Sequence, residues 1–486
     1  MFAAVLVALF VLLMIGIGIW GMRRTQTLND FFLGGRSIGP WISAVAYGTS
    51  YFSAVLFIGF AGKLGWGFGL NVLWIALGNT LLGSLAAWLV LGKRTRRMSQ
   101  NLDVMTMPEF LYERFNHRYL KIFAALIIFI FLLPYSASVF KGLGHLFEIT
   151  FGLSYDYALL IMIAITGIYL ILGGYYAITL TDFVQGFIMV AGSILMVIIL
   201  SGKHGGIIEA VSQISQRFSE HRGAAAPPIN YWLLASLVFM TSMGTWGLPQ
   251  MVQKFYAIKD ENQITRAAIV TTVFALIVVF AAYFTGAMTH LFYTPEQLPA
   301  ANGKVLFDKL IPDMLTANLP EPLMGVILLL ILSASMSTLS SLVLVSSSAV
   351  AIDLYKGHIN PQTSKKNSLI MMRLLSGVFI VLSYFIARYE FGIIVTLMSL
   401  SWGAVAGSFM APFLYGLYWR KTTAAGVYAG MISGLLTQIV LFFAWGPALS
   451  PMAASLAMII PFGVIPLVSM FTSPPNKELL DRAFQH

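Results

Sequence analysis

The sequence predicts an all-α polytopic membrane protein with about thirteen transmembrane helices. Hydrophobic residues make up 58% of the 486 residues, charged residues only 10%, and the mean hydropathy is +0.83. A soluble protein of this length would carry a much larger charged surface. Long apolar runs also recur along the whole chain, and each is long enough to cross a bilayer core about 30 Å thick.

Thirteen apolar runs define the predicted spans. In chain order they cover residues 2–20, 40–61, 69–91, 120–147, 155–172, 175–200, 231–251, 264–292, 322–351, 369–387, 391–417, 424–444 and 452–471. The longest loops, 203–230 and 294–321, are expected outside the membrane as lids, and the first contains a short amphipathic surface helix.

The positive charges predict the orientation of these spans. No basic residue precedes the first span, and Arg23 and Arg24 follow it, which is the reverse of a secretory signal peptide. An outside N-terminus then places most basic loops inside, as the positive-inside rule requires. These loops carry Lys93, Arg94, Arg96, Arg97, Arg114, Arg118, Lys254, Lys259, Lys356, Lys365, Lys366, Arg420 and Lys421. We therefore expect a multi-pass protein of the inner (plasma) membrane with a cytoplasmic C-terminus.

Composition also excludes several classes of function. The chain has no cysteine, and its seven histidines have no metal-ligand spacing, which argues against a redox or metal enzyme. The sequence also lacks the common motifs of membrane hydrolases. The net charge of +10 is explained by the cytoplasmic loops, so no nucleic-acid partner is predicted. No obligate protein partner is evident, and the lipid bilayer is the expected surrounding.

Two predicted spans are interrupted near their middle. Span two is broken by Gly48, Thr49, Ser50 and Ser53, and span seven by Gly244, Gly247 and Pro249. Glycine tolerates unusual dihedrals and proline lacks a backbone donor, so both helices can unwind there. Unwound backbone at membrane depth is tolerated only against protein or a cavity.

The spacing of these breaks predicts the domain organisation. Spans two and seven are five apart, an odd number, so five-helix units starting at each would be inverted, as in many secondary transporters. The predicted units are a first helix and linker (1–39), a first repeat (40–200), an extracellular loop (201–230), a second repeat (231–418) and two further helices with a tail (419–486).

Span nine holds nine hydroxyl groups between Ser333 and Ser348. Helical spacing places Ala334, Ser337, Thr338 and Ser341 on one stripe, which could offer oxygen ligands to an alkali cation. The same hydroxyls could instead bond the carbonyl one turn back or allow close helix packing. The span alone leaves both interpretations open.

Two charges, Asp182 and Lys141, lie clearly inside predicted spans rather than near their cytoplasmic or outer ends. Asp182 lies about 10 Å inside span six, where a carboxylate needs a partner or a wet cavity. Lys141 lies about six residues from the outer end of span four, and we expect it to snorkel outward to water. Binding of a substrate carboxylate is the alternative role for Lys141.

Three motifs in the right order resemble the sodium/solute symporter family. They are FFLGGRSIGPWISA after the first span, GGYYAITLTDFVQG around Asp182 and SASMSTLSSLVLVSSSAVAIDLY in span nine. The resemblance extends over nearly the whole chain and implies alternating access by two inverted five-helix repeats. It also implies import of a small solute coupled to sodium.

Carried over residue by residue, the resemblance implies one or two co-transported sodium ions. The first would be held by the carbonyls of Thr49, Phe52 and Ala334 and the hydroxyls of Ser337 and Thr338. Sodium is a hard cation that prefers oxygen donors, which fits this set. A second ion is implied at Asp182 with Ser337, Ser340 and Ser341.

The same architecture implies a solute site beside the interrupted helices, formed by Ser50, Tyr51, Asn79, Tyr135, Ser138 and Trp246. Proline symporters resemble the chain over much of its length, including PYSASVFKGLGHLFEITFGLSYD, but carry aspartate where Tyr51 stands. They also carry aromatic residues where Thr241 and Thr245 stand. TSYFSAVLFIG and GLP look more like the branch that moves pantothenate and other carboxylates, so a small organic anion is our first expectation.

Several alternatives remain at this point. A proton-coupled symporter of the same fold would use Asp182, and a proline-type amino-acid symporter would share the sodium site. A channel would also need oxygen-lined ion sites but would show far higher flux. A sodium sensor is disfavoured because about fifteen residues follow the last span, which leaves no signalling domain.

Overall fold

A computed structural model describes residues 2–24, 28–223 and 228–485. The regular structure of these residues is helical apart from one small hairpin, in which Ala300–Ala301 (β1) pairs antiparallel with Lys304–Val305 (β2). The all-α fold class is therefore confirmed. Residues 25–27 of the predicted linker, 224–227 of the predicted extracellular loop and His486 of the tail lie outside the described residues.

The helices of the first half precede the second interrupted span. They are α1 (Phe2–Arg24), α2 (Leu28–Leu33), α3 (Pro40–Tyr51), α4 (Ala61–Phe68), α5 (Leu73–Gly78), α6 (Ala87–Asn101), α7 (Met107–Phe115), α8 (Arg118–Phe151), α9 (Tyr155–Gly202) and α10 (Ile207–Arg222). Two π-helical segments join them at Val55–Phe60 and Asn79–Ala86, and 3₁₀ turns occur at Gly34–Arg36 and Gly69–Val72.

The second half begins at the next interrupted span. Its helices are α11 (Tyr231–Met243), α12 (Pro249–Ala257), α13 (Ile264–Ala287), α14 (Thr289–Phe292), α15 (Phe307–Asn318), α16 (Glu321–Ser348), α17 (Lys365–Arg388), α18 (Ile394–Tyr418), α19 (Ala424–Trp445), α20 (Ser450–Met470) and α21 (Lys477–Ala483). A π-helical segment, Ala349–Ile359, continues α16. Short 3₁₀ turns lie at Gly244–Trp246, Glu261–Gln263, Pro295–Gln297 and Pro447–Leu449.

Ten helical stretches of the described residues are long and apolar enough to span a membrane by length and composition. The difference from thirteen has identifiable sources. Both halves of span seven are short. Span two separates into α3 and a second half that continues into span three. Span five supplies only the shorter apolar stretch Tyr155–Gly167. The count of thirteen stays a prediction, whereas a chain of many membrane spans is confirmed.

Both predicted helix breaks are present. Helix α3 ends at Tyr51, and Phe52 is extended (φ −109°, ψ 111°) before the π-helical segment begins. Helix α11 ends at Met243, and Leu248 is extended (φ −83°, ψ 121°) before Pro249 starts α12. Proline favours the first position of a helix because its missing donor has no partner there anyway.

Helix α9 contains the predicted boundary between spans five and six. Gly174 has φ 65° and ψ 173°, outside the helical region, so α9 consists of two helices that meet at this residue. A positive φ favours glycine because it has no Cβ. The second half of α9 carries Asp182 toward the centre of the bundle.

Helix α16 is the central element of the fold. It packs against α1, α3, α8, α9 and α17, and every residue from 330 to 348 is buried. Its hydroxyl groups therefore face protein on every side. Helix α10 confirms the predicted surface helix, since Ala210 and Ile214 are buried and most of its other side chains are exposed.

Candidate functional site: a sodium-binding cluster and a buried lysine–aspartate pair

The end of α3 meets α16 where the first sodium ion was predicted. The Ser337 hydroxyl lies 3.0 Å from the Thr49 carbonyl oxygen and 3.1 Å from that of Ala334. The Thr338 hydroxyl lies 3.3 Å from the Thr49 carbonyl and 3.1 Å from that of Ala334. Phe52 is the residue at which the chain leaves α3. The break therefore brings this end of α3 against the predicted ligands of α16.

This cluster contains more oxygen acceptors than hydroxyl donors. The Thr338 hydroxyl also lies 3.2 Å from the carbonyl oxygen of Ser50, a residue that we had assigned to the solute site. Each hydroxyl has one hydrogen, so two hydroxyls cannot satisfy all the carbonyl oxygens around them. The surplus lone pairs of Thr49, Ser50 and Ala334 suit a hard cation.

Three hydroxyls of α16 outside this cluster, those of Ser335, Ser347 and Ser348, donate to backbone carbonyls of their own helix. The Ser347 hydroxyl donates to Val343 (2.7 Å) and the Ser348 hydroxyl to Val345 (2.8 Å), both within the helix. Ser335 donates to Ile331 in the same way and also accepts from the backbone N–H of Ala54 at 3.2 Å. Back-bonding thus accounts for the Ser335, Ser347 and Ser348 hydroxyls, which lie away from the cluster.

The predicted second sodium site contains a lysine that the sequence analysis had not placed there. The Lys254 Nζ lies 3.6 Å from Oδ2 of Asp182 and donates a 3.2 Å hydrogen bond to the Ser341 hydroxyl. Lys254 and Asp182 are fully buried. The Ser340 hydroxyl instead donates to the Ser337 carbonyl at 2.8 Å. Ser341 therefore contacts the Lys254–Asp182 pair, and Ser340 bonds its own helix.

The placement of Lys254 in a cytoplasmic loop was wrong. The break at Leu248 lets α12 continue to Ala257, so Lys254 lies inside the bundle rather than beyond the end of span seven. A signal was present in the sequence. Gln250, Gln253 and Lys254 lie on one face of a helix that starts at Pro249, and all three are buried.

Three of the six predicted solute residues line one small cavity. Tyr51, Asn79 and Tyr135 meet there, together with residues that the prediction missed: Phe52, Ser53, Val55, Leu56, Phe60, Thr241, Tyr283 and Met398. The cavity volume is about 20 Å³, which holds about one water molecule. A solute therefore needs these side chains to move before it can enter.

The polar groups of the cavity already connect helices from the two halves of the chain. The Tyr51 hydroxyl donates to the Thr241 carbonyl at 2.5 Å, and the Asn79 side-chain oxygen accepts from the hydroxyls of Thr241 (2.8 Å) and Ser242 (3.1 Å). Tyr51 also stacks on Trp402, with ring centroids 6.2 Å apart. Hence Tyr51 links α3 to α11, and Asn79 links the π-helical segment Asn79–Ala86 to α11.

The other three predicted solute residues point elsewhere. Ser138 donates to the Tyr135 carbonyl of its own helix at 2.6 Å, and the Trp246 indole donates to the Leu82 carbonyl at 3.0 Å. The Ser50 hydroxyl lies 2.8 Å from that of Ser341. Ser50 therefore connects the cluster around Ser337 and Thr338 to the Lys254–Asp182 pair.

Lys141 does not reach water as predicted. Only 4% of it is exposed, and its Nζ lies 3.0 Å from Asp308 Oδ2, 3.2 Å from Glu390 Oε2 and 3.0 Å from the Gly392 carbonyl oxygen. Asp308 also accepts from the backbone N–H of Ile394, the first residue of α18, at 3.2 Å. The correction follows from α15, which places Asp308 against α8 and so supplies a buried partner.

Comparison with known proteins decides the family. A family model described as "Sodium:solute symporter family" matches residues 31–434. The chain belongs to the sodium:solute symporter family. It is therefore a sodium-coupled symporter of small solutes in a membrane, and not an enzyme.

Curated relatives extend over nearly the whole symporter. The osmoregulated proline transporter OpuE of Bacillus subtilis (strain 168) is 32% identical over 449 residues, which cover 89% of this chain and 87% of that protein. A sodium/proline symporter of Staphylococcus aureus (strain JH9) is 32% identical over 456 residues, covering 91% of this chain and 86% of that one.

Solved structures support the fold. A Na⁺-coupled sialic acid symporter in a substrate-bound outward-open state gives a TM-score of 0.81 at 18% identity, covering 98% of both chains. Mhp1, a nucleobase-cation-symport-1 family transporter in a closed conformation, gives a TM-score of 0.56 at 15% identity, covering 93% of this chain and 97% of that one. These likenesses are consistent with the predicted inverted repeats and alternating access.

Proposed function

We propose that the symporter binds its coupling sodium ion between the end of α3 and the middle of α16, at the carbonyls of Thr49, Phe52 and Ala334 and the hydroxyls of Ser337 and Thr338. The observation that carries this proposal is the convergence of the two hydroxyls on carbonyl oxygens at the helix break, within 3.0–3.3 Å. Carbonyls freed by a break supply partial negative charge without a buried carboxylate. We add the Ser50 carbonyl to this set.

The solute binds in the region of Tyr51, Asn79 and Tyr135 once the present cavity opens. Its lining combines aromatic rings with hydroxyl and amide groups, which suits a small, partly polar solute. Trp402 packs on both tyrosines, with ring centroids 6.2 and 5.9 Å away, so its movement would enlarge the cavity. Ser138, Trp246 and the Ser50 side chain act indirectly, through the helices that they join.

Two solute classes are favoured by different observations. The curated relatives at 32% identity are named as proline transporters, which favours a small amino acid. Tyr51 and Thr241 form a hydrogen bond at the positions where the pocket departs from the proline-type pattern, which favours a small organic anion. Both solutes carry a carboxylate, and sodium is a suitable counter-ion for that group in either case.

The orientation follows the distribution of positive charge, with the N-terminus outside and the C-terminus in the cytoplasm. At a membrane potential of 100 mV and a tenfold sodium gradient, one ion supports roughly 500-fold accumulation of a neutral solute, and two ions roughly 10⁵-fold. The number of ions therefore determines how steeply the symporter concentrates its solute.

Uptake into proteoliposomes tests this proposal. Labelled L-proline, pantothenate and short monocarboxylates are supplied under separately imposed sodium, lithium and proton gradients. We expect one of these classes to accumulate with sodium, and the Ser337→Ala and Thr338→Ala variants to need at least about tenfold more sodium for half-maximal uptake.

Ser347→Ala is the matched control. Its hydroxyl is equally buried in α16 but bonds Val343 of the same helix, so the sodium dependence should stay as in the unchanged protein. Uptake driven by protons and indifferent to sodium would support the proton-coupled alternative. Equal effects of the Ser337 and Ser347 substitutions would argue against the proposed ion site.

A further inference from the structure

The Asp182 carboxylate is a buried anion with a single cationic neighbour among the described residues. It is fully buried on the second half of α9, and neither carboxylate oxygen has a hydrogen-bond partner within 3.5 Å. The Lys254 ammonium lies just beyond that limit, at 3.6 Å. A carboxylate at this depth is retained only with a compensating cation, so the identity of that cation matters.

Lys254 reaches two of the groups predicted to hold a second sodium, the Asp182 carboxylate and the Ser341 hydroxyl. Its ammonium donates to the Ser341 hydroxyl at 3.2 Å and faces the Tyr175 ring at 5.2 Å from the centroid. An ammonium group and a sodium ion carry the same charge and both prefer oxygen partners. Two cations cannot share one carboxylate at such distances without strong repulsion.

We propose that the Lys254 ammonium is a tethered cation that takes the place of a second sodium ion beside Asp182. The symporter then couples one sodium ion to each solute molecule. This inference rests on the proposed function, because it counts ions beyond the one held by Ser337 and Thr338. The lysine supplies the charge without being transported, since it is fixed to α12.

The Lys254 side chain connects three helices of the bundle, α12, α9 and α16. Lys254 belongs to α12, the half-helix that follows the break in span seven, while Asp182 belongs to α9 and Ser341 to α16. Ser50 completes the link, because its hydroxyl contacts Ser341 at 2.8 Å and its carbonyl accepts from Thr338 at 3.2 Å. Two hydrogen bonds, one between Ser50 and Ser341 and one from Lys254 to Ser341, therefore connect the proposed first sodium site to the lysine–aspartate pair.

Direct sodium binding tests the proposal without knowledge of the solute. Equilibrium binding of ²²Na⁺ to the purified full-length protein in detergent gives the number of ions per chain. We expect one ion for the unchanged protein and two for Lys254→Met, because the freed Asp182 carboxylate then becomes a sodium ligand with Ser341. The double variant Lys254→Met/Asp182→Asn should return to one ion.

Lys141→Met is the matched control, since it removes another buried, aspartate-paired lysine and should leave one ion bound. Two ions bound to the unchanged protein would overturn the inference and leave the proposed function standing, and this result requires no variant to fold. One ion bound to a monodisperse Lys254→Met protein would also overturn it. No sodium bound to the unchanged protein would overturn the proposed function itself, and the inference with it.

Discussion

Two buried lysine–aspartate pairs of this symporter, Lys141–Asp308 and Lys254–Asp182, differ in how their charges are partnered. Lys141 has three oxygen partners within 3.2 Å, and Asp308 also accepts a backbone hydrogen bond. The Lys254 ammonium lies 3.6 Å from Asp182, whose oxygens have no hydrogen bond. Asp308 lies in α15 and Lys141 in α8, whereas the Lys254 ammonium contacts Ser341 in α16.

The Lys141–Asp308 pair is fully partnered, whereas the Lys254–Asp182 pair is incompletely partnered. Buried polar atoms in folded proteins are nearly always hydrogen-bonded, and Lys141 with Asp308 follows that rule. The pair formed by Lys254 and Asp182 departs from it beside the proposed sodium cluster. Asp182 therefore depends on the Lys254 ammonium alone for charge compensation among the described residues.

The largest expected effect comes from breaking the incompletely partnered pair. Asp182→Asn leaves the Lys254 ammonium buried with a hydroxyl as its main polar contact. Loss of one partner of a buried ion pair typically costs about 3–5 kcal/mol of unfolding free energy. We expect a clearly lower thermal unfolding midpoint for the purified variant, and recovery of most of the loss in Asp182→Asn/Lys254→Met. A single variant as stable as the unchanged protein would contradict the ion pair.

An intermediate effect is expected at the other pair. Asp308→Asn leaves Lys141 with Glu390 and the Gly392 carbonyl, so the unfolding free energy should fall by about 2 kcal/mol. The variant also weakens the hydrogen bond between Asp308 of α15 and Ile394 of α18, which should loosen α18, whose Met398 lines the cavity.

Cysteine labelling measures that second consequence. The chain has no cysteine, so Ser53→Cys would place a single thiol at the solute cavity. We expect a membrane-impermeant thiol reagent to modify it faster when Asp308→Asn is also present. The same labelling rate with and without Asp308→Asn would show that the Lys141–Asp308 pair does not restrict access to this cavity.

The smallest effect is expected at Glu390. Its side chain is 43% exposed, and exposed ion pairs contribute little because water screens them. Glu390→Gln should therefore lower the unfolding free energy by less than about 1 kcal/mol, and the difference should shrink in high salt. A loss as large as that of Asp308→Asn would mean that Glu390, and not Asp308, is the main partner of Lys141.

Local chemistry made much of the fold predictable from the sequence. Apolar runs predicted the membrane helices, and the glycines and Pro249 predicted both breaks, because unwinding depends on the residues at the break itself. The hydroxyl stripe of α16 likewise follows from helical spacing alone. The five residues predicted to hold the first sodium ion were implied by the resemblance of these motifs to the family, and not by helical spacing.

Partners distant in the chain were not predictable in this way. Lys254 was assigned to a loop because its burial depends on how far α12 continues after the break and on what α9 and α16 place beside it. Ser138 and Trp246 were assigned to the solute, yet both donate to backbone carbonyls. Whether a polar side chain lies near a backbone carbonyl depends on how its helix is rotated in the bundle. The composition of the sequence carries little information about that rotation.

The sequence by itself therefore determined the class of protein, the interrupted helices and the oxygen-rich stripe of α16, since hydrophobicity and backbone freedom are properties of each residue and its near neighbours. Only the tertiary structure decided that Asp182 faces Lys254 and that Lys141 faces Asp308. It also decided that Ser50 connects the cluster around Ser337 and Thr338 to the Lys254–Asp182 pair. Charges in an apolar medium are stabilised by whatever group lies within a few ångströms, and that distance is set by packing.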